Sequence, residues 1–349
     1  MSFSIGSFSF EQKNRVFIIA ELSANHNGSL ETATETIKAA KRAGADAIKL
    51  QTYTPDTITL DCKTSDFIIG QGTIWDGNYL YDLYKEAYTP WEWHAQLFEV
   101  AKAEGLICFS SPFDKSAIDL LENLNTPAYK IASFEITDIP LIEYAASKGK
   151  PMLISTGIAG LEDIELAVEA CRKVGNNQII LLKCTSSYPA PIENANMLMI
   201  PDLASRFKVI AGLSDHTMGI TVPIVSVTLG ARVIEKHFII DRSIGGPDAS
   251  FSMNEEEFTQ MVKAVRETEV ALGKVDYTIT EGMIKSRVFS RSLYVVEDIN
   301  TGDKITEQNV RSIRPGYGLH PKYFKEIIGR KAKTDIKRGT ALKWDFLDD

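Results

Sequence analysis

Short apolar runs recur at fairly regular intervals along most of the chain. The eight runs are VFIIAEL from Val16, DAIKLQTY from Asp46, LICFSSPF from Leu106, AYKIASFE from Ala128, PMLISTG from Pro151, QIILLKCTSSY from Gln178, VIAGLSDH from Val209 and RVIEKHFII from Arg232. Each is rich in Ile, Val and Leu without clean alternation, as is typical of strands covered on both faces. The pattern predicts eight buried strands.

Amphipathic helical patterns separate these runs. Thr89, Pro90 and Glu92 predict a helix that begins with a capping box at Thr89 and ends at Gly105. A second start signal, Asn254 with Glu257, precedes a long helix that ends at Gly273; its apolar stripe is Phe258, Met261, Val262, Val265 and Leu272. The apolar runs and helices therefore alternate along the chain.

Eight strands, each followed by a helix, predict an α/β fold of the (β/α)8 TIM barrel type. The alternative is a doubly wound open sheet, but no G-x-G-x-x-G motif follows the first predicted strand. The segment from Thr54 to Tyr88 is too long for a plain connection, and loops of that length usually cover an active site.

The pattern changes after Gly273. VVEDINTGDKIT from Val295 is echoed by AKTDIKRGTALK from Ala332. Two such copies predict a small β-rich domain that is marginal alone and needs a partner surface. We expect a barrel domain over 1–276, a linker over 277–291 and the small domain over 292–349.

Composition excludes some classes of protein. The net charge of −8 argues against nucleic-acid binding, which needs a basic surface. No apolar run approaches the length that spans a bilayer, and the N-terminus lacks the features of a signal peptide. The four cysteines show no framework spacing, so we expect reduced, buried thiols and a cytoplasmic protein.

Each predicted strand becomes polar towards its carboxyl end, where barrel enzymes carry their active sites. In chain order the polar residues are Glu21; Lys49 and Gln51; Ser110 and Ser111; Lys130, Ser133 and Glu135; Ser155 and Thr156; Lys183, Thr185, Ser186 and Tyr188; Ser214, Asp215 and His216; and Glu235, Lys236 and His237. A single polar strand end would carry little weight. The same outcome on eight strands indicates one shared site.

Two histidines in this set are candidates for metal binding. By alternation, Glu235 and His237 share one face of the eighth strand, and Ser214 and His216 share one face of the seventh. Because neighbouring strands lie about 4.8 Å apart, the two imidazoles could bind one ion. Two hydrogen-bonded core histidines are the alternative. We favour an open site for a divalent metal, with Mn²⁺, Mg²⁺ and Co²⁺ as the candidate ions.

Three lysines, Lys49, Lys130 and Lys183, come from the second, fourth and sixth predicted strands and could converge. A desolvated lysine can act as a Schiff-base nucleophile. Several cations together with Ser and Thr hydroxyls can instead clamp phosphate and carboxylate groups, and we favour this clamp. A lysine that only reaches solvent is the alternative for any one of them.

The motifs AELSANHNGS, AGADAIKLQTYTP, CFSSPFD, YKIASFE, ISTG, KCTSSYP, GLSDHT and ARVIEKHF together resemble the sialic acid synthase family of nonulosonate synthases. The C-terminal copies around RSIRPGYGL resemble the antifreeze-like SAF domain of that family. The resemblance covers nearly the whole chain in order. AELSANH, the long second loop and LYKEAYTPWEWH are most similar to the pseudaminate branch.

The resemblance implies that phosphoenolpyruvate condenses with the open-chain aldehyde of an amino sugar, giving a nine-carbon 2-keto acid and phosphate. For the pseudaminate branch the sugar is 2,4-diacetamido-2,4,6-trideoxy-L-altrose. N-acetylneuraminate and legionaminate synthases remain alternatives, as does a carbohydrate-binding protein without turnover. Ala249 stands where sialic acid synthases tend to have a histidine, which favours a sugar other than N-acetylmannosamine.

The resemblance also implies roles for individual residues. His216 and His237 would bind the metal, and Glu21 would transfer a proton or orient the attacking water. Arg314 would enter the barrel of a second subunit, making a domain-swapped homodimer the working unit. The residues that match positions holding phosphoenolpyruvate are Lys49, Ser110, Lys130, Ser133, Ser155, Ser186 and Ser214, and those matching positions near the sugar are Gln51, Glu135, Tyr188 and Asp248.

Overall fold

A closed barrel of parallel strands forms the larger part of the protein. The computed structural model describes residues 3–11, 15–70 and 72–348, and its contacts divide the chain into two compact units, Met1–Gly273 and Lys274–Asp349. In the described part of the first unit the barrel strands are β3 (Phe17–Glu21), β4 (Ala47–Thr52), β5 (Ile107–Pro112), β6 (Tyr129–Ile131), β7 (Met152–Ser155), β8 (Ile179–Cys184), β9 (Ile210–Asp215) and β10 (Val233–His237). Because β10 pairs with β3, the sheet closes, which confirms the predicted TIM barrel and excludes an open sheet.

Helices alternate with the barrel strands. They are α1 (Leu30–Arg42), α2 (Pro55–Ile58), α3 (Leu80–Ala87), α4 (Trp91–Ala103), α5 (Lys115–Asn123), α6 (Ile139–Ala146), α7 (Leu161–Lys173), α8 (Met199–Phe207), α9 (Thr221–Thr228) and α10 (Glu255–Leu272). Asn254 and Glu257 form the expected capping box at the start of α10. Thr89 does not cap α4: the helix begins one residue later than predicted, after Pro90, and has no side-chain cap.

The barrel interior is apolar below its carboxyl end. Phe17, Ile19, Phe109, Leu153 and Leu182 belong to this inner cluster. A short hairpin, β1 (Ser4–Ile5) and β2 (Phe8–Ser9), packs its aromatic side chains against the same cluster, with the Phe8 and Phe17 rings 4.7 Å apart. The hairpin closes the amino-terminal end of the barrel, so the opposite end is left for ligands.

The second unit has its own small core. It contains α11 (Glu281–Ser286), the antiparallel pair β11 (Ser292–Val295) and β12 (Val310–Ile313), and α12 (Phe324–Ile327). An antiparallel bridge joins Ile299 to Ile336, the matching isoleucines of the two repeated copies. Among the described residues of the chain, no helix is both long enough and apolar enough to cross a membrane.

Candidate active site

The inner faces of the eight barrel strands become polar at the carboxyl end. Side chains alternate in and out along each strand, so the positions that follow the inner apolar cluster in phase are also inner positions. These inner polar positions are Glu21 on β3, Lys49 and Gln51 on β4, Ser111 on β5, Lys130 on β6, Ser155 on β7, Cys184 on β8, Ser214 with His216 at the end of β9, and Glu235 with His237 on β10.

Glu235 is shared by two lysines in a buried charge network. Its carboxylate lies 3.8 Å from the Lys49 ammonium and 3.6 Å from the Lys130 ammonium, and it accepts a hydrogen bond from the Ser214 hydroxyl at 3.2 Å. Burial raises the pKa of Glu235, but the positive charges of Lys130 and Lys49 lower it by more than burial raises it. The pKa of Glu235 therefore lies below its usual value. The network therefore holds the Glu235 carboxylate and the Lys49 and Lys130 ammonium groups together at the carboxyl end of the barrel.

Glu21 is the second carboxylate of the network. It lies 2.5 Å from the Lys49 ammonium, and its other oxygen accepts a hydrogen bond from the Gln51 amide at 3.1 Å. Burial raises the pKa of Glu21; Lys49 lowers it and Glu235 raises it, for a result of about 7. A carboxyl group with a pKa near neutrality can both give and accept a proton.

His216 and His237 meet on neighbouring strands, with ring centroids 5.2 Å apart. The Nδ1–H of His216 can donate to the Thr185 carbonyl at 3.0 Å. In that tautomer Nε2 carries no proton, so its lone pair is free to bind a metal. Nδ1 of His237 is buried and has no hydrogen-bond partner, and its nearest carboxylate, Asp248, is 3.8 Å away. Burial lowers the pKa of His237 well below its usual value, so the ring is neutral, as a metal ligand must be.

The two neighbouring imidazoles could supply at most two protein ligands to a divalent cation. Within residues 3–11, 15–70 and 72–348, no group of three or more His, Cys, Asp and Glu side chains could hold a metal ion. A site with two histidine ligands would need water or substrate oxygen atoms to complete the coordination of an ion.

Ser133, Ser186 and Gly157 lie close together near Cys184. The Gly157 amide donates to the Ser133 hydroxyl at 3.1 Å. A Cβ atom added to Gly157 would lie 2.1 Å from the Ser186 hydroxyl and 2.7 Å from that of Ser133. The Ser155 hydroxyl is buried without a hydrogen-bond partner. We call Ser133, Ser155, Gly157 and Ser186 the hydroxyl cradle; its donors suit an anion.

Two expected site residues lie elsewhere. Ser110 is on the outer face of β5, where its hydroxyl is 2.6 Å from that of Thr52, which in turn contacts His94. Lys183 follows Leu181 on the outer face of β8, and its ammonium donates to the Cys184 carbonyl at 2.5 Å. Both expectations were wrong because successive strand residues point to opposite faces, so Lys183 cannot converge with the other two lysines.

Ser111 and Cys184 occupy the inner positions instead. The Lys49 ammonium donates to the Ser111 hydroxyl at 3.1 Å. The Cys184 sulfur lies 3.9 Å from Nδ1 of His216. Burial raises the pKa of this thiol, but His216, Ser133 and Lys130 bring it down to about 7. Phe109 and Leu182 point into the barrel, and side chains two positions apart on a strand point the same way. Ser111 and Cys184, two positions later, could therefore have been identified as inner residues.

A cavity of about 410 Å³ opens in front of His237. Its polar lining includes the predicted residues Gln51, Ser133, Glu135, Tyr188 and Asp248. Ile58, Ile69, Trp75 and Leu83 of the long connection also line the cavity, as expected for a segment that covers the barrel mouth.

Two of these cavity residues are held in characteristic ways. The Asp248 carboxylate accepts a hydrogen bond from the Ser23 hydroxyl. Glu135 has a buried carboxylate oxygen without a partner, and burial raises its pKa to about 7. Arg314, the remaining predicted residue, is exposed and follows β12 in the second unit.

Sequence comparisons agree with this architecture. Residues 36–277 match the NeuB family and residues 290–348 match the SAF domain. A pseudaminic acid synthase from Campylobacter jejuni is 51% identical over 97% of this chain and 98% of its own length. A pseudaminic acid synthase from Helicobacter pylori is 50% identical over 95% of this chain and 97% of its own length.

A solved structure is also similar to this chain. The N-acetylneuraminic acid synthetase from Leptospira borgpetersenii matches with a TM-score of 0.72 and 31% identity, covering 82% of this chain and 95% of that one. The family model matches more than half of the chain, and the two pseudaminic acid synthases are at least 50% identical to it over at least 95% of its length. The chain belongs to the NeuB family.

Proposed function

We propose that this protein is a pseudaminic acid synthase, a transferase that condenses phosphoenolpyruvate with 2,4-diacetamido-2,4,6-trideoxy-L-altrose to give pseudaminate and phosphate. The observation that carries the proposal is the neighbouring pair His216 and His237 between a hydroxyl cradle and a sugar-sized cavity. The identity to two named pseudaminic acid synthases over nearly the full chain supports this choice of acceptor sugar.

The donor would bind at the hydroxyl cradle and the lysines. Ser133, Ser155 and Ser186 would hold the phosphate of phosphoenolpyruvate, while Lys49 and Lys130 would balance its negative charge. Ser214 would orient Glu235 beside these lysines. We propose Ser111 in the place first given to Ser110, because Ser111 faces Lys49. Lys183 is not part of this proposal.

The acceptor aldehyde would lie in the cavity near His216 and His237. These two residues would hold a divalent metal, Mn²⁺ in our proposal with Mg²⁺ and Co²⁺ as alternatives, and its chemistry would be polarisation of the aldehyde oxygen. Gln51, Glu135, Tyr188 and Asp248 line the same cavity and would bind polar groups of the sugar.

Glu21 would manage the proton of the attacking water. C3 of phosphoenolpyruvate forms the new bond to the aldehyde carbon, and water adds at C2 of the donor. Loss of inorganic phosphate from C2 then leaves the 2-keto acid. Glu21 would orient that water or accept its proton; the contacts of its two carboxylate oxygens with the Gln51 amide and the Lys49 ammonium support this role.

We also propose a domain-swapped homodimer in which Arg314 completes the site of the partner subunit. The proposed limits are 1–276 for the barrel domain, 277–291 for the linker and 292–349 for the small domain. Phosphoenolpyruvate is a cytoplasmic metabolite, so we expect the protein to act in the cytoplasm, without a nucleic-acid or membrane partner.

The direct test is phosphate release from phosphoenolpyruvate with each candidate sugar and Mn²⁺. We expect turnover with the 6-deoxy diacetamido altrose and loss of turnover in His216→Ala, whose circular dichroism spectrum should match that of the wild type. Turnover with N-acetylmannosamine alone, or with the legionaminate precursor alone, would overturn the assignment. Binding of the sugar without any phosphate release would indicate a carbohydrate-binding protein.

A further inference from the structure

Helix α3 presents an apolar stripe to the cavity instead of to the core. Leu80, Leu83, Tyr84 and Ala87 stand at i, i+3, i+4 and i+7 and all line the cavity. No residue of α3 is fully buried. A helix that only supports a fold buries such a stripe. The stripe of α3 is therefore available for a ligand. We call these four residues the α3 stripe.

The cavity has two chemically different sides. Gln51, His237 and Asp248 lie on the barrel side and offer polar groups. The α3 stripe, together with Ile58, Ile69 and Phe113, forms an apolar side. A ligand that fits both sides has hydroxyl, amide or aldehyde groups along one edge and apolar groups along the other.

The segment that carries α3 contacts residues of the barrel at two places beside the cavity. The indole N–H of Trp75 donates to the Pro247 carbonyl at 3.1 Å, next to Asp248. The Trp75 ring lies 5.5 Å from the ring of Tyr188, and Tyr84 lies 5.7 Å from Tyr53 at the end of β4. These contacts hold the apolar side in a defined position relative to the polar side, as selective recognition requires.

We propose that the α3 stripe selects the acceptor by contact with its methyl groups, so that the site prefers an N-acylated, 6-deoxy amino sugar over one with a hydroxyl at C6. This inference rests on the proposed function. Acetamido methyl groups and a C6 methyl are the apolar parts of such a sugar, whereas a C6 hydroxyl against Leu83 would lose its water without gaining a partner.

Leu83→Asn tests the inference, with Leu60→Asn as the matched control. Leu60 belongs to the same segment but is 62% exposed and does not line the cavity. The kcat/KM is measured for the 6-deoxy diacetamido sugar and for its 6-hydroxy analogue. In Leu83→Asn we expect the ratio of the two values to fall by about tenfold, which is the effect of one misplaced apolar group in a binding pocket. The KM for phosphoenolpyruvate and the melting temperature should stay at wild-type values.

The outcomes separate the inference from the proposed function. A wild-type enzyme that uses the 6-deoxy sugar, with an unchanged ratio in Leu83→Asn, would overturn the inference alone. An equal fall of the ratio in Leu60→Asn would also count against it, because the effect would then not come from the cavity. A wild-type enzyme that ignores the 6-deoxy sugar and uses N-acetylmannosamine would overturn the proposed function and the inference together.

Discussion

At the residue scale, Gly157 lies where any side chain would collide with the serine hydroxyls of the hydroxyl cradle. Its backbone does not need glycine for a left-handed conformation; the space around its Cα is what excludes larger residues. In Gly157→Ala the new methyl would push away the hydroxyls of Ser186 and Ser133. These are ends of side chains that can rotate, so the fold should survive. We expect the KM for phosphoenolpyruvate to rise by about tenfold or more, because a charge-assisted hydrogen bond would be lost.

Gly160→Ala is the matched control for this prediction. Gly160 is in the same loop, and an added Cβ there would have only an ordinary contact at 3.6 Å from Asp163. Steady-state kinetics with varied phosphoenolpyruvate measure the effect. A KM in Gly157→Ala equal to that of the control would mean that the hydroxyl cradle does not hold the donor.

Glu135 should make the stability of the barrel depend on pH. Burial raises the pKa of this carboxyl from 4.5 to about 7, with Lys130 partly offsetting and Asp138 adding to the rise. Between those two pH values the folded state holds a proton that the unfolded state has lost, so stability falls as the pH rises through this window. In Glu135→Gln the melting temperature should fall less over the same window.

The test compares how the melting temperature changes with pH in the wild type, in Glu135→Gln and in the control Glu256→Gln, whose side chain is exposed. The control should keep the wild-type slope. Parallel slopes for all three proteins would show that Glu135 is ionised in the folded state over the whole window.

At the scale of the element, β9 and β10 carry different chemistry on their two faces. His216 and His237 face the site, while the intervening Asp215 and Lys236 face outward and form an ion pair at 2.6 Å. Lys236 also donates to the Thr217 carbonyl. The charges in this strand end are thus paired: Glu235 with the inner lysines, and Lys236 with Asp215.

Lys236→Met should destabilise the protein by about 3 to 5 kcal/mol, because it leaves the buried Asp215 carboxylate without its cation. The double variant Asp215→Asn with Lys236→Met should recover part of this loss. Lys263 pairs with Glu267 at the surface, and its side chain is 76% exposed. The control Lys263→Met should therefore lower the free energy of unfolding by less than about 1 kcal/mol. Urea unfolding of the four proteins gives the free energies. A double variant no better than Lys236→Met alone would contradict the pairing.

The positions of the strands could be predicted from the sequence. Which residues of each strand point into the barrel was harder to predict. Strands buried on both faces lack the alternation that would reveal which residues point inward, so the sequence did not show that Ser110 and Lys183 point outward. On β10 alternation placed Glu235 and His237 on one face, but Lys236 between them is also charged, so charge alone did not show which face points inward. Helix α3 lay within a segment predicted only as a covering loop, because its stripe faces a cavity that no sequence pattern marks.

At the scale of the whole molecule, the chain separates catalytic and accessory parts. The barrel unit contains every predicted site residue except Arg314, which belongs to the second unit. If Arg314 acts in the site of a second subunit, each site needs a barrel from one chain and an arginine from the other. A C2 dimer would then contain two such composite sites.

Mixing two inactive variants tests this arrangement. Arg314→Ala supplies an intact barrel, and His237→Ala supplies an intact Arg314, so each homodimer should have strongly reduced activity. After joint unfolding and refolding, half of the dimers are mixed at random, and each mixed dimer has one complete site. We therefore expect about a quarter of wild-type activity. No recovery in refolded mixtures that do contain mixed dimers, identified with one tagged chain, would mean that Arg314 acts within its own subunit or not at all.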